Sequence, residues 1–407
     1  MPVPERRTRG DLIAAAMLAV AVLAVATVLW WTSDARNTSL VTAAGPAPGA
    51  QSSVTEQLPR SLTEVWRAPS SAAPLPLVQD GTVVTGAGGM VAGRDLQSGQ
   101  VRWSYRRDRP LCAVAAAFHH VLAVYQRGQS CAEVTELAWA DGRRGAQRTG
   151  PVESPTRLIA AGTQVAAGGR HYLEVWRSDL VRTLAYGRLP TPAQPSTQPR
   201  PDCLHESMAL SRRSGGRLAV VEQCPGERAR ITVQKSDPKE PEQPEVIFST
   251  LLPGRQARVV ALDGDHVAVA LPDPARLVVL DGQGKEVANH PLTVPESDLT
   301  GSPPGGVVDV TETATTVYWF TGSATVALDV GELAPRWTHP GSLGPGSELA
   351  GRLLLPVPGA LAVLDTTTGA PVGTLPVDRG GYRGPVNTAS AGGVVLEQRG
   401  DTLVALR

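Results

Sequence analysis

The stretch Val91–Tyr105, VAGRDLQSGQVRWSY, decides the fold. It reads as a short strand ending at Asp95, a tight turn through Ser98-Gly99, and a second strand carrying Trp103. An aspartate closing a strand accepts hydrogen bonds from amides of the next turn, and glycine takes the positive φ which that turn requires. The same chemistry returns as Asp281 with Gly284 and as Asp365 with Gly369. Trp103 and Trp337 each follow an aspartate, Asp95 and Asp329, by eight residues. Large residues at that place fill space between neighbouring sheets. After Asp365 the same position holds Gly373, so the copies have drifted.

Weaker copies of the first strand begin at Val134, Tyr172, Arg230, Leu277, Thr325, Leu361 and Thr402. Their spacing centres on roughly forty residues, the period of a four-stranded propeller blade. The first full period divides into strands Leu75–Gln79, Thr82–Gly86, Met90–Asp95 and Gln100–Tyr105. The last period supplies three strands only, ending in TLVALR at Arg407, and Leu62–Arg67 supplies the fourth. Pairing the two ends inside one blade closes the ring and hides two sheet edges. The expectation is an all-β fold, an eight-bladed β-propeller over residues 62–407, with seven blades as the alternative if one weak copy is a loop.

The copies VALDVGELAPRW (Val326–Trp337) and LAVLDTTTG (Leu361–Gly369) resemble the repeat of the pyrroloquinoline-quinone-type propellers. That resemblance implies the propeller architecture. The superfamily holds quinoprotein dehydrogenases as well as non-catalytic members, so it implies no single activity.

Ahead of the ring, Leu12–Trp31 is an unbroken run of apolar or small residues, long enough to cross a membrane as a helix. Arg6, Arg7 and Arg9 precede it, which places residues 1–11 in the cytoplasm and all that follows outside. A signal anchor at 12–31 is preferred to a cleaved signal peptide, because the run is long and WWTSDAR offers no convincing cleavage site. Residues 32–61, rich in Ala, Ser, Thr, Pro and Gly, read as a flexible extracytoplasmic linker. Export suits the four cysteines. Cys112 and Cys203 open first strands, Cys131 and Cys224 follow second strands of the same blades, and antiparallel pairing predicts the disulfides Cys112–Cys131 and Cys203–Cys224.

Composition excludes little else. The 38 basic residues balance the 38 acidic ones, which speaks against a nucleic-acid surface. Lysine occurs only at 235, 239 and 285, and with abundant Ala, Gly and Pro this points to a GC-rich genome of the actinobacterial kind. The chain has no Cys-Cys pair and no CxxCH haem motif, and no metal ligands or catalytic base can be assigned. His119-His120 reads as a turn, and Asp263-Gly264-Asp265 as a strand turn rather than a calcium loop. Two proline-rich stretches, Leu189–Asp202 and Ser236–Glu245, read as exposed loops on opposite faces of one blade. No catalytic, cofactor-binding or metal residue is therefore named, and no cofactor. The reading is a membrane-anchored, non-catalytic envelope module that binds a protein or glycan, with a quinone- or metal-dependent dehydrogenase as the alternative.

Overall fold

The computed structural model describes residues 8–31, 33, 36–45, 58–190, 198–211 and 216–407. Apolar runs of five or six residues, separated by turns, form strands. The burial of each strand depends on its place in its sheet. Second strands such as Gln164–Gly168 and Thr316–Phe320 are buried along their whole length, because neighbouring sheets cover both faces. Fourth strands such as Glu286–Pro291 are largely exposed and correspondingly polar.

Eight antiparallel sheets result, each with four propeller strands in sequential order. They are called blades 1 to 8 and span 77–107, 111–149, 157–187, 204–251, 258–291, 309–340, 347–376 and 386–406, the last completed from the front of the chain. The protein is an eight-bladed β-propeller. All eight copies recognised in the sequence lie in third strands. Glu64–Pro69 pairs antiparallel with Thr402–Leu406 as the fourth strand of blade 8, Glu64 facing Leu406 and Pro69 facing Thr402. Thr63 and Arg407 exchange a further pair of backbone hydrogen bonds, 2.8 and 2.9 Å.

The blades lock together through the residues of the repeat. Trp103 of blade 1 lies over Gly142 in the last turn of blade 2, and its indole N–H donates to Trp139 O at 2.9 Å. Trp337 lies over Gly369 in the same way and donates to Thr366 O at 3.3 Å. Trp66, from the closing strand, lies over Gly99 and donates to Leu96 O at 3.0 Å. Phe248 covers Gly284. A Cβ at Gly99, Gly142 or Gly369 would come within 2.6–2.7 Å of the ring above it, so these glycines serve close approach as well as positive φ.

Two joints invert this arrangement. The position of Trp103 is held by Ala146 in blade 2 and Ala288 in blade 5, and the facing turn residues are Leu180 and Leu333. Both leucines keep the left-handed backbone, φ 60° and 56°, and both are fully buried. Left-handed backbone at a leucine costs about 1–2 kcal/mol. Burying the side chain returns a comparable amount, about 1.5–3 kcal/mol.

The structure corrects the sequence reading in three places. Within the expected linker, Thr38–Val41 is a strand that pairs antiparallel with Val101–Arg107 as a fifth, outermost strand of blade 1. Blade 1 carries an open edge of backbone groups there, and four residues with extended propensity satisfy it. Ser236–Glu245 does not protrude. It folds along the outer strand of blade 3, where Ala185 N–H donates to Pro241 O at 2.7 Å and Arg182 pairs with Glu242 at 2.7 Å. Residues 191–197 of the other proline-rich stretch lie outside the described residues. Its Gln198 nevertheless donates to Glu242 O at 2.8 Å, so the two stretches meet on the rim. Thirdly, a four-residue helical turn, Glu296–Leu299, lies between blades 5 and 6 where only strands and loops were expected.

Candidate functional site

First strands converge on the axis of the ring, and their crowding selects small side chains: Ala115, Ala160, Ala209 and Ala261 all face the central cavity. This cavity, about 480 Å³, is lined at one end by the connections ahead of blades 1, 3 and 6, the end called its mouth, and runs along the first strands as far as Leu210 and Glu312. Larger apolar groups complete its wall, among them Leu75, Val114, Leu158, Met208, Val260 and Val308. It is a largely apolar well lined by blades 1 to 6, with Ser71, Thr156, Arg157 and Glu312 as its polar members.

One connection, residues 292–308 between blades 5 and 6, bends inward and forms part of that wall. Its sequence, LTVPESDLTGSPPGGVV, lacks a strand pattern and holds three prolines, so no ladder competes for it. Leu299 buries completely in the cluster shared by blades 5 and 6. Asp298 accepts from Thr321 Oγ1, Ser323 N and Ser323 Oγ at 2.7, 3.0 and 2.7 Å. Arg258, the first residue of blade 5, donates to the carbonyls of Asp298 (2.5 Å), Thr300 and Gly301 (3.1 Å). Burial draws that guanidinium below its ordinary pKa, with Asp298 acting against the shift.

Arg157 then crosses the well. It opens blade 3, pairs with Asp309 of blade 6 at 2.6 Å and donates to Val307 O at 3.0 Å. Gly305 is required beneath it: its φ is +63°, and an added Cβ would lie 2.8 Å from Arg157 Cβ. Arg157 therefore fastens the inward segment instead of offering a free charge.

The residues singled out in the sequence meet only within their own turns and, for Trp337 over Gly369, across one joint; they form no common site. Asp95, Asp281, Asp329 and Asp365 stand at the third-to-fourth-strand turns of four different blades, away from the mouth of the well. Asp95 Oδ1 accepts from Gln97 and Ser98 amides at 3.1 and 2.8 Å, and Asp365 Oδ1 from Thr367 and Thr368 at 3.1 and 3.0 Å. Turn amides hold the Asp281 and Asp365 carboxyls below the ordinary aspartate pKa, through Lys285 first in one case and Thr368 first in the other. Disulfides join Cys112 to Cys131 and Cys203 to Cys224, each tying a first strand to the hairpin after the second strand on the side of the well's mouth. Closing loops of 19 and 21 residues, each contributes about 3 kcal/mol by the chain-entropy argument.

His120 Nδ1 contacts Phe118 O at 2.9 Å in a tight turn where Phe118 and His119 have positive φ. Asp265 pairs with Arg217 at 2.6 Å in a hairpin. Among the described residues there is no group of three or more His, Cys, Asp or Glu side chains able to hold a metal. The charged groups that sequence reasoning passed over are Glu174, Glu222 and Glu397, all wholly buried. Each is engaged: Glu174 by Arg148, Tyr172 and Trp176, Glu222 by Tyr186, Arg200 and Thr232, Glu397 by Arg379 and Arg399. Burial and the adjacent Glu174 and Glu222 carboxylates push Tyr172 and Tyr186 far above the ordinary tyrosine pKa. The signal was present as single glutamates inside apolar strands, YLEVW, VVEQ and VVLEQ.

Comparison with solved structures agrees with this architecture. BamB from Moraxella catarrhalis is similar over 85% of this chain and 99% of its own, with TM-score 0.50 and 11% identity. Sqt1 of Saccharomyces cerevisiae is similar over 86% of this chain and 99% of its own, with TM-score 0.54 and 10% identity. Both are β-propellers. The likeness is one of fold. No family model matches the sequence, and no curated protein is similar to it.

Proposed function

We propose that the protein is a membrane-anchored, extracytoplasmic binding module of the cell envelope, taking a protein partner at the mouth of the apolar well. One observation carries the reading: the wholly buried glutamates are used up in joints between blades, whereas most of the well's surface is apolar and its Arg157 is already paired with Asp309. What the ring presents to a partner is a rigid concave surface, suited to an inserted apolar side chain. The helix Arg9–Trp31 is long and apolar enough to cross a membrane, and none of it is buried against the propeller. Two disulfides suit an oxidising compartment. The repeat resembles that of the quinone-type propellers, whose non-catalytic members this chain follows.

A photo-crosslinker at Leu75, on the mouth, and one at Gln97, on the opposite side, tests the proposal in intact membranes. The expected result is one protein captured from Leu75 alone and lost when Met208→Asp places a charge in the well. Capture from both positions alike, or capture unaffected by Met208→Asp, defeats it. A glycan recovered at Leu75 instead replaces the protein partner.

A further inference from the structure

The pairing of Thr38–Val41 with blade 1 changes how the ring stands to its helix. Only the six residues Thr32–Asn37 separate Trp31, the last helical residue, from Thr38. Seven Cα steps reach no further than about 25 Å. Thr38 pairs with Arg107, at the end of the blade 1 outer strand nearest the mouth of the well. A long tether would leave every side of the ring equally free to meet the membrane. This one pins a single corner.

The chemistry of that corner is cationic. Residues 101–133 carry arginines at 102, 106, 107, 109 and 127, against the acids Asp108 and Glu133. Arg107, Arg109 and Arg127 all approach the one Glu133 carboxylate, the last two at 2.8 and 3.4 Å. Arg106 and Arg127 are exposed, as is Arg36, whose guanidinium lies 4.9 Å above the Trp31 ring. Beside them Leu40 and Val41 of the docked strand keep 38% and 58% of their surface, an apolar fringe next to the charges. Guanidinium groups flanking apolar side chains suit an interface of phosphate headgroups and acyl chains.

We infer that this corner, the docked strand together with Arg106 and Arg127, seats on the same membrane that holds the helix, its arginines on anionic phospholipid headgroups. The inference rests on the anchor reading above. Near an anionic surface each arginine shifts the ratio of seated to unseated molecules by roughly fivefold. Seating tilts the ring so that blade 1 is proximal and blade 5 distal, and it leaves the blade 5 side of the well's mouth open to the partner.

The test uses full-length protein in vesicles, with a fluorophore at Ser39→Cys on the corner or at Val287→Cys on the outer strand of blade 5. Energy transfer to a headgroup-labelled lipid is measured in phosphatidylglycerol-containing and in pure phosphatidylcholine vesicles. Strong transfer from position 39 and weak transfer from 287 is expected with phosphatidylglycerol. That contrast shrinks in phosphatidylcholine, at high salt, and in Arg106→Gln/Arg127→Gln. Equal transfer from both positions with phosphatidylglycerol overturns the inference while the protein still floats with the vesicles. A contrast indifferent to lipid charge and to the double substitution also overturns it, leaving only the short tether. Protein that fails to float defeats the anchor reading instead.

Discussion

Blade 7 meets its two neighbours by opposite means. Towards blade 6 the joint is Trp337 lying on Gly369, a large ring over a residue without a side chain. Towards blade 8 the matching place on its outer strand holds Gly373, and beside the apolar cluster of Leu375 with Val395 and Val404 the buried charged group Arg379–Glu397–Arg399 fastens the joint. Arg379 reaches Glu397 through two hydrogen bonds, 3.0 and 2.8 Å, and caps the Val357 and Ala360 carbonyls of blade 7 at 2.6 and 3.0 Å. A joint of shape loses strength in proportion to what is trimmed from it. The charged joint depends on completeness, because half of it is a buried charge without a partner.

The largest expected effect comes from breaking the charged joint by halves. Glu397→Ala leaves two buried guanidiniums facing each other and should cost about 3–5 kcal/mol in urea unfolding. Replacing all three residues with apolar ones of similar size should return most of that loss. If the triple variant is no better than the single one, the group does more than satisfy itself.

The second test sharpens the apolar joint. Trp337→Ala should cost about 3 kcal/mol. Adding Gly369→Leu then recreates the Ala288–Leu333 arrangement that the protein already uses between blades 5 and 6. A favourable coupling of about 1–2 kcal/mol between the two substitutions is expected in a double-mutant cycle. Strict additivity would mean that the two kinds of apolar joint are not interchangeable.

The smallest effect concerns the polar joint of blades 3 and 4, where His205 stacks on Tyr186 and its Nδ1 donates to Gly169 O at 3.1 Å. Burial lowers its pKa below the ordinary 6.5, while the Glu222 carboxylate, Gly169 O and Glu153 act to raise it and His171 to lower it further. The unfolded chain therefore binds the proton first. Stability is full above pH 6.5 and declines as pH falls through that value. His205→Phe should flatten the dependence of the urea midpoint across this range. The apolar joints, having no such group, contribute none of it.

Much of the ring was legible because its causes are local. Asp95 and Gly99 answer the needs of one turn, Trp103 meets the same turn one blade further on, and a blade repeats those requirements at a steady period. The inverted joints were not legible. Ala146 with Leu180 and Ala288 with Leu333 each depend on two residues of neighbouring blades exchanging volume, and neither residue looks unusual alone. The same holds for the well. Arg157 and Asp309 lie 152 positions apart, and only closure of the circle brings them to 2.6 Å.

The sequence by itself determined the repeat, the closing strand, the apolar helix and the cysteine pairs, all of which follow from periodicity and turn chemistry, while the choice of eight blades over seven came from the sheets themselves. Tertiary structure alone decided that Thr38–Val41 docks on blade 1, that Ser236–Glu245 lies along blade 3, and that the connection before blade 6 lines the well. Those segments carry no periodic pattern of their own. Their conformations are set by whichever unpaired edge or half-filled space the finished ring leaves within reach, and that is defined only once the ring exists.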